Sequence, residues 1–237
     1  MTLFNPNPVI QTVPLSDHQN AYVIDNIFSN PEGWVAEAAA RIGQFVESPA
    51  NAYPGMELPM PPSINQALIA FFSTYLLRRF GIRKITGSYS RLSLVTKSPA
   101  ELMPRQWICH RDGTNVPAGS RMLASVIYLF KDEGLGGTSL YRPRRSDSET
   151  MMLVRDAGIL DAEQFSTKYG IPRGFMTEGN DWFEKIVAIP ARWNRMVIYD
   201  GMVFHSGDIL RPEAMTADPV NGRLSLNGFY TGRLSLA

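Results

Sequence analysis

The sequence contains little cysteine and little histidine, and these shortages limit the chemistry that the chain can support. Its 237 residues include one cysteine, Cys109, and three histidines, His18, His110 and His205. A single cysteine excludes an intramolecular disulfide framework and any zinc site built from several cysteines. Catalysis or metal binding by histidine must therefore draw on these three side chains.

The sequence also lacks a long hydrophobic run and a strong charge of either sign. It has no stretch of about 18 apolar residues, which excludes a membrane-spanning helix. Lys and Arg total 23 against 22 Asp and Glu, so the formal net charge is +1 and no overall field attracts nucleic acid. The first residues lack the basic and apolar segments of a signal peptide. We therefore expect a cytoplasmic protein without nucleic-acid or membrane partners.

What the sequence does contain is a change of hydrophobic pattern near residue 81. Residues 20–81 predict one strand followed by two supporting helices, whereas residues 82–232 predict about eight strands joined by short connections. A polar segment at 144–181 with helical spacing interrupts the strands and is interpreted as an insertion. We predict a single domain over residues 1–237, mostly β with N-terminal helices (α+β), built as an antiparallel sandwich or barrel.

Local signals mark the ends of the two predicted helices. Asn30 is placed to cap the first helix and Pro31 suits its first position. Ser63 is placed to cap the second helix, and Gly81 to end it. Between the helices, residues 48–62 contain five prolines and predict a loop.

Two histidines and one aspartate form the most informative chemical pattern. His110 and Asp112 are two positions apart, so in an extended segment their side chains project from the same face. His205 follows another predicted strand, 95 residues later. Two histidines and one carboxylate form the facial triad of non-haem Fe(II) oxygenases, which leaves coordination positions open. A His-x-Asp alone also arises where a strand histidine precedes a turn aspartate.

The order of these residues resembles the Fe(II)/2-oxoglutarate-dependent oxygenase superfamily, in its prolyl-4-hydroxylase-like branch. In that branch the His-x-Asp motif precedes a β run and a Gly-Gly turn, which here are residues 121–129 and 136–137. The distal histidine precedes a strand with an arginine at its head, here residues 222–230. Residues 23–33 resemble the first strand and helix of the family, and the whole resemblance covers about residues 20–232.

The resemblance implies a double-stranded β-helix core of the jelly-roll, cupin-like type. It implies a dioxygenase that hydroxylates a small molecule, an amino acid or a peptide and releases succinate and CO2. His110, Asp112 and His205 would hold Fe(II) as the catalytic centre, with 2-oxoglutarate and dioxygen as co-reactants. Halogenating members of the superfamily lack the carboxylate, so the presence of Asp112 favours hydroxylation or another oxidation.

The resemblance also implies a set of residues that bind 2-oxoglutarate. Arg223 would pair with the remote carboxylate, helped by Ser225 on the same strand face and by the hydroxyl of Tyr128, which is alternatively an ordinary buried tyrosine. Arg223 follows His205 by eighteen residues, further than is usual in the family. Arg211 is therefore a competitor, but it lies in an enlarged loop before a proline, so we favour Arg223 at the head of a strand.

Other side chains near the motif are candidates for contacting substrate. Arg105 and Trp107 lie just upstream of the His-x-Asp, and Tyr53 lies in the proline-rich loop, a type of segment that often covers a site. Trp107 is as readily a core residue. Cys109 is expected to face away from the metal as a small buried residue, and His18 to be solvated.

Two further interpretations and one repeat complete the sequence evidence. The fold could belong to a non-catalytic cupin-like protein that binds a small molecule or a metal, or to a zinc hydrolase, although no His-Glu-x-x-His helix is present. The tetrapeptide Arg-Leu-Ser-Leu begins at Arg91, Arg223 and Arg233 without a longer repeat around it. No motif identifies the substrate or the oligomeric state, and we expect residues 48–62 and 144–181 to decide the substrate.

Overall fold

The computed structural model describes residues 3–48, 52–113 and 116–235. Within them the strands are β1 Ile10–Ser16, β2 Gln19–Ile24, β3 Val46–Glu47, β4 Gly55–Pro59, β5 Ile82–Val95, β6 Ser120–Tyr128, β7 Thr138–Pro143, β8 Phe183–Ile189, β9 Met196–Asp200, β10 Phe204–Gly207 and β11 Leu224–Leu234. The α-helices are α1 Pro31–Ala40, α2 Pro62–Tyr75, α3 Asp147–Ala157 and α4 Ala162–Tyr169.

Two antiparallel sheets form the double-stranded β-helix that the family resemblance implies. The larger sheet has the order β1-β2-β9-β6-β11-β5-β4-β3, and the smaller has the order β10-β7-β8. Side chains from both sheets share one buried cluster, including Tyr128 and Val197 from the large sheet and Leu140 and Ile189 from the small one. The sheets therefore pack face to face, and the predicted mostly-β class with helices is confirmed.

The outer face of the large sheet is covered by α1 and α2. Trp34 of α1 and Phe72 of α2 belong to a buried cluster with Leu92 of β5 and Leu226 and Tyr230 of β11. The Phe72 ring stacks on Tyr230 with centroids 4.9 Å apart. Burial of these large apolar side chains is the main force that holds the helices on the sheet.

The predicted insertion folds into α3 and α4, which pack behind the small sheet. Their buried residues Leu153 and Phe165 share a cluster with Tyr141 of β7, Phe183 of β8 and Trp107. The chain segment that leads to His110 is therefore held between the small sheet and the inserted helices.

Several predicted element ends are confirmed and others are wrong. Asn30 accepts a hydrogen bond from Gly33 N at 3.2 Å, as a helix cap should, and Gly81 ends the second helical segment with a φ of +63°. Ser63 does not cap α2, because the helix already begins at Pro62 and Pro61 occupies the cap position. Pro62 fits the first helical position because an N–H at that position would have no partner within the helix anyway.

The predicted loop at 48–62 contains a strand. Residues 49–51 lie outside the described residues, but β4 pairs with β5 and buries Leu58 in the core. Gly55 permits the pairing, because a Cβ there would lie 2.1 Å from the Leu94 carbonyl oxygen. β1, at the edge of the sheet, was also not predicted.

No helix among the described residues is long and apolar enough to cross a bilayer.

An ion pair joins the end of β2 to the chain before β9. Arg195 donates from Nε to Asp25 Oδ1 at 2.6 Å and from Nη2 to Oδ2 at 3.0 Å. These bonds from Arg195 hold the pKa of the Asp25 carboxyl below its ordinary value. The Arg195 carbonyl accepts a hydrogen bond from Tyr128 N at 2.9 Å, so the pair also fixes the end of β6.

Replacing Phe72 with alanine should lower the free energy of unfolding by about 3 to 5 kcal/mol, because it leaves a cavity between α2 and the sheet. Urea denaturation measures this change. Ile159→Ala is the control, since Ile159 is 71% exposed and its loss should cost at most about 0.5 kcal/mol. Equal effects of the two substitutions would contradict the described packing.

Asp25→Asn should destabilise the protein by about 1 to 3 kcal/mol at neutral pH, because the nearly buried Arg195 loses a charged partner. An aspartate whose folded pKa is lowered stabilises the fold above its unfolded value of about 3.9, and this contribution is lost as pH falls through the folded value. The difference between variant and wild type should therefore shrink below about pH 4. Unfolding curves measured between pH 3 and 7 would refute the assignment if the difference stayed constant.

Candidate metal centre

A short antiparallel bridge brings the predicted metal ligands together. His110 N donates to the His205 carbonyl at 2.9 Å, and His205 N donates to the His110 carbonyl at the same distance. Asp112 N donates to the Gly201 carbonyl at 2.9 Å. His205 itself belongs to β10, which pairs with β7 in the small sheet. Backbone hydrogen bonds therefore fix the main chain of all three residues.

The side chains of these residues converge on one point. His205 Nε2 lies 3.3 Å from Asp112 Oδ2, and His110 Nε2 lies 3.7 Å from Asp112 Oδ1. One ligand atom from each residue can be chosen so that all lie within 4.8 Å of one another. Two imidazole nitrogens and one carboxylate, gathered at this spacing, match the donor set of a facial metal triad.

Hydrogen bonding around the triad supports a cation at this point. His205 Nδ1 lies 2.9 Å from the Val203 carbonyl, an arrangement that keeps the proton on Nδ1 and presents the Nε2 lone pair. Asp112 Oδ2 is buried and has no hydrogen bond of good geometry among the described residues. A buried carboxylate oxygen in that state needs a positive partner, and a metal ion would satisfy it. The residues present therefore fit a bound divalent metal.

The protonation preferences of the triad are shaped by burial and by the triad itself. Desolvation, followed by the neighbouring His205 and by Arg91, lowers the pKa of His110 to about 4. Desolvation alone would raise the pKa of Asp112, but His205 outweighs it and the pKa is lowered. The pKa of His205 is raised because Asp112 and the Val203 carbonyl outweigh its desolvation. His110 and Asp112 are thus in their metal-binding forms at neutral pH.

The triad opens into a cavity of about 410 Å³ between the two sheets. Its floor is one face of the large sheet, where alternate residues of β11 and the residue before it point inward. These residues are Arg223, Ser225, Asn227 and Phe229. The walls include Tyr53 and Pro54 from the predicted loop and Phe175 from the inserted segment. Both segments expected to decide the substrate therefore reach the cavity.

Arg223 lies at a buried end of the cavity and is 4% exposed. It donates from Nε to the Gly136 carbonyl at 3.1 Å and from Nη2 to the Gly137 carbonyl at 2.6 Å. Gly136 has a φ of +89°, and a Cβ there would lie 1.8 Å from the Asp208 carbonyl oxygen, so only glycine fits. Arginine has five N–H donors, so these two bonds leave others for an anion.

Ser225 lines the cavity, whereas Tyr128 lies behind the cavity wall. Ser225 lines the cavity beside Tyr53, whose pKa is raised to about 12 because its hydroxyl is buried. Tyr128 is fully buried, and its hydroxyl shares a 2.7 Å hydrogen bond with Thr138 Oγ1. Thr138 lines the cavity. Tyr128 therefore supports a cavity residue, and its direct role with 2-oxoglutarate stays a prediction.

Arg211 is directed elsewhere. Its Nη2 pairs with Asp132, its Nε donates to the Gly134 carbonyl at 3.3 Å, and its side chain is 44% exposed. The chain between residues 211 and 222 forms a short 3₁₀ turn and a loop before β11 begins. Of the two arginines that the sequence offered, the structure brings Arg223 into the cavity.

The segment upstream of the His-x-Asp motif reaches the cavity through residues other than those predicted. Gln106 and Ile108 line the cavity, whereas Trp107 is 2% exposed and packs edge-to-face on Phe165. Arg105 belongs to the same 3₁₀ turn as Gln106 and is absent from the described cavity lining. Of the two positions that the sequence left open for Trp107, the structure places it in the core behind the metal loop.

The predictions of a buried Cys109 and a solvated His18 are confirmed. Cys109 is fully buried in the cluster behind the metal loop, facing away from the triad. His18 is exposed, as expected of a solvated residue.

The sequence evidence missed Arg91 and Asn227, which also line the cavity. Arg91 Nε lies 3.0 Å from Glu57 Oε1, and the guanidinium carbon lies 5.1 Å from the Phe229 ring centroid. The available signal was the tetrapeptide that Arg91 shares with Arg223, because the period of two in a strand places its arginine and serine on one face.

Solved structures with a similar fold include enzymes that use 2-oxoglutarate. The non-haem alpha ketoglutarate dependent carbocyclase SnoK from nogalamycin biosynthesis aligns with a TM-score of 0.50 and 16% identity, over 91% of this chain and 80% of SnoK. A Pseudomonas putida prolyl-4-hydroxylase aligns with a TM-score of 0.41 and 13% identity, over 96% of this chain and 92% of that one. At these identities the likeness concerns the fold, and the SnoK alignment supports the double-stranded β-helix.

Comparison of sequences, unlike comparison of folds, identifies a family for this chain but no characterised relative. No curated protein matches the chain. The profile described as "Family of unknown function (DUF6445)" matches residues 6–230, which is nearly the whole sequence. The chain therefore belongs to the family DUF6445.

Proposed function

We propose that this chain is a cytoplasmic Fe(II)- and 2-oxoglutarate-dependent dioxygenase that hydroxylates a small molecule, an amino acid or a peptide. One observation carries the proposal. His110, Asp112 and His205 converge at a cavity that also contains the buried Arg223. A metal site and a buried cation inside one cavity are what a metal-chelating keto acid with a second carboxylate requires.

The residues of the chain divide the work of binding. His110, Asp112 and His205 would hold Fe(II). When bound, the metal would couple the reduction of dioxygen to the oxidation of 2-oxoglutarate. Arg223, held by the Gly136 and Gly137 carbonyls, would bind the remote carboxylate of 2-oxoglutarate with Ser225 beside it. Retention of Asp112 favours hydroxylation, since it fills the position that a halide would need.

The unusual spacing between His205 and Arg223 does not weaken this proposal. The additional residues form a loop outside the cavity, and Arg223 still immediately precedes β11. The non-catalytic binding protein and the zinc hydrolase remain as outcomes of the tests below, because no contact in the described residues favours either one.

Metal binding tests the triad. Anaerobic titration with Fe(II), or with Mn(II) as a stable substitute, should show one ion bound per chain. His110→Ala, Asp112→Ala and His205→Ala should each weaken binding by more than about 100-fold, because loss of partners that only orient a ligand already costs 10- to 100-fold. His18→Ala should bind like the wild type. Unchanged affinity in the triad variants would refute the site.

Cosubstrate binding tests Arg223. Adding 2-oxoglutarate to the anaerobic Fe(II) protein should produce a metal-to-ligand charge-transfer band in the visible. Arg223→Leu should weaken 2-oxoglutarate binding by about 10- to 100-fold, the worth of a charge-assisted hydrogen bond. The matched variant Arg211→Leu should titrate as the wild type does. Retained Fe(II) binding and an unchanged circular dichroism spectrum show that Arg223→Leu is folded.

The result of this titration also separates the alternatives. A band, followed by succinate release in air, supports the dioxygenase. Iron binding without a band would mean that the triad is correct and the cosubstrate is not, and a metal-binding protein would take its place. A band that weakens with Arg211→Leu instead would reassign the carboxylate site.

A further inference from the structure

Two copies of the tetrapeptide Arg-Leu-Ser-Leu lie side by side in the large sheet. In the antiparallel register of β5 and β11, Ser93 is opposite Ser225, Leu92 is opposite Leu226, and Arg91 is opposite Asn227. The leucines of both copies are buried in the core with at most 1% exposure. The intervening residues therefore point to the other face, which is the cavity floor.

This register puts an arginine at each end of the paired copies. Arg223 and Arg91 both line the cavity, with the serine pair between them. They are four strand positions apart, which corresponds to about 13 Å along the sheet. The cavity floor thus has two separate cationic positions, and the proposed cosubstrate uses the Arg223 position.

Neighbouring side chains fix the Arg91 guanidinium. Glu57, itself 5% exposed, forms an ion pair with it, with Oε1 lying 3.0 Å from Arg91 Nε. The Tyr53 and Phe229 ring centroids lie 5.8 and 5.1 Å from the guanidinium carbon. These contacts orient the group while its Nη donors remain available for a carboxylate, which binds arginine through a planar pair of hydrogen bonds.

Asn227 adds a second polar group at the same position. It is 7% exposed and donates from Nδ2 to Ser93 Oγ at 3.1 Å. Its Oδ1 is buried and accepts no hydrogen bond within the part of the chain that the structure describes. Because Asn227 lines the cavity opposite Arg91, a ligand there meets a cation and an unsatisfied acceptor together.

The charge on the cavity surface leaves a positive charge for a further carboxylate group. Among the described residues, the charged ones that line it are three arginines and one aspartate, namely Arg91, Arg111, Arg223 and Asp112. A divalent metal and the dianion of 2-oxoglutarate would cancel each other. With Glu57 counted behind Arg91, the site still has one uncompensated positive charge.

We propose that Arg91 and Asn227 bind the substrate, and that the substrate is a free amino acid. Its carboxylate pairs with Arg91 and its amino group donates to Asn227 Oδ1. This inference rests on the proposed dioxygenase function. A cavity of about 410 Å³ lies near the lower end of the usual range for ligand pockets and must also hold the cosubstrate, which favours a small substrate over a peptide.

The test compares each of the twenty L-amino acids with its primary amide, which differs by the loss of the negative charge. Calorimetry on protein loaded with Mn(II) and 2-oxoglutarate measures binding without turnover. At least one amino acid should bind saturably and its amide at least tenfold more weakly. The same amino acid should stimulate succinate release by the Fe(II) protein in air.

Variants assign the binding to this position. Arg91→Leu should weaken amino acid binding at least tenfold, Asn227→Leu should weaken it as well, and Arg91→Lys should retain part of it. All three should keep wild-type affinity for Mn(II) and 2-oxoglutarate. Arg233→Leu is the matched control, since Arg233 begins the third copy of the tetrapeptide and only donates to the Ala118 carbonyl at an exposed position among the described contacts.

Three results would overturn the inference. They are binding of no amino acid by a protein that forms the 2-oxoglutarate band, equal binding of acid and amide, and unchanged binding in Arg91→Leu. A fourth result, loss of 2-oxoglutarate affinity in both Arg91 variants, would overturn it by assigning Arg91 to the metal-chelating carboxylate of the cosubstrate. Absence of the band in the wild type would refute the proposed function itself, so the two failures are distinguishable.

Discussion

The pairing of β5 with β11 is the interaction on which the rest of the structure depends. These strands lie beside each other near the middle of the large sheet, and one face of the pair buries leucines beneath α2 while the other forms the cavity floor. The apolar packing that stabilises the fold and the polar groups of the site therefore share one backbone ladder. A shift of register by one residue would exchange the two faces and destroy both.

Backbone pairing also positions the metal ligands, over a shorter stretch of chain. The bridge between His110 and His205 joins a loop to the small sheet, and the inserted helices pack behind that loop. A segment without regular structure thus gains a fixed position from one pair of backbone hydrogen bonds and a buried apolar backing. This rigidity suits a metal site, in which ligands must be held in place before the ion arrives.

The sequence predicts the features that have a period or a motif, and it fails where position depends on tertiary contacts. Alternation predicts the strands, and the order of motifs that resembles the oxygenase superfamily predicts the triad and Arg223. The short strand β4 was missed because prolines at both ends resemble a loop. The direction of Trp107 stayed open between cavity and core, because the 3₁₀ turn before it has no period from which that direction could be read. Arg91 and Asn227 become a pair only through the register between two distant strands, which one sequence does not reveal.

The contacts of Arg223 with the Gly136 and Gly137 carbonyls have a consequence for how the family can vary. Both acceptors are backbone carbonyls, so the path of the main chain at Gly136 and Gly137 sets the direction of the guanidinium. Asp208 N, in the segment that follows His205, also donates to the Gly137 carbonyl at 3.1 Å, so the beginning of that segment takes part in this anchor. Residues 212–221 make no hydrogen bond to this turn within the described part of the chain, so their number can change without displacing the arginine.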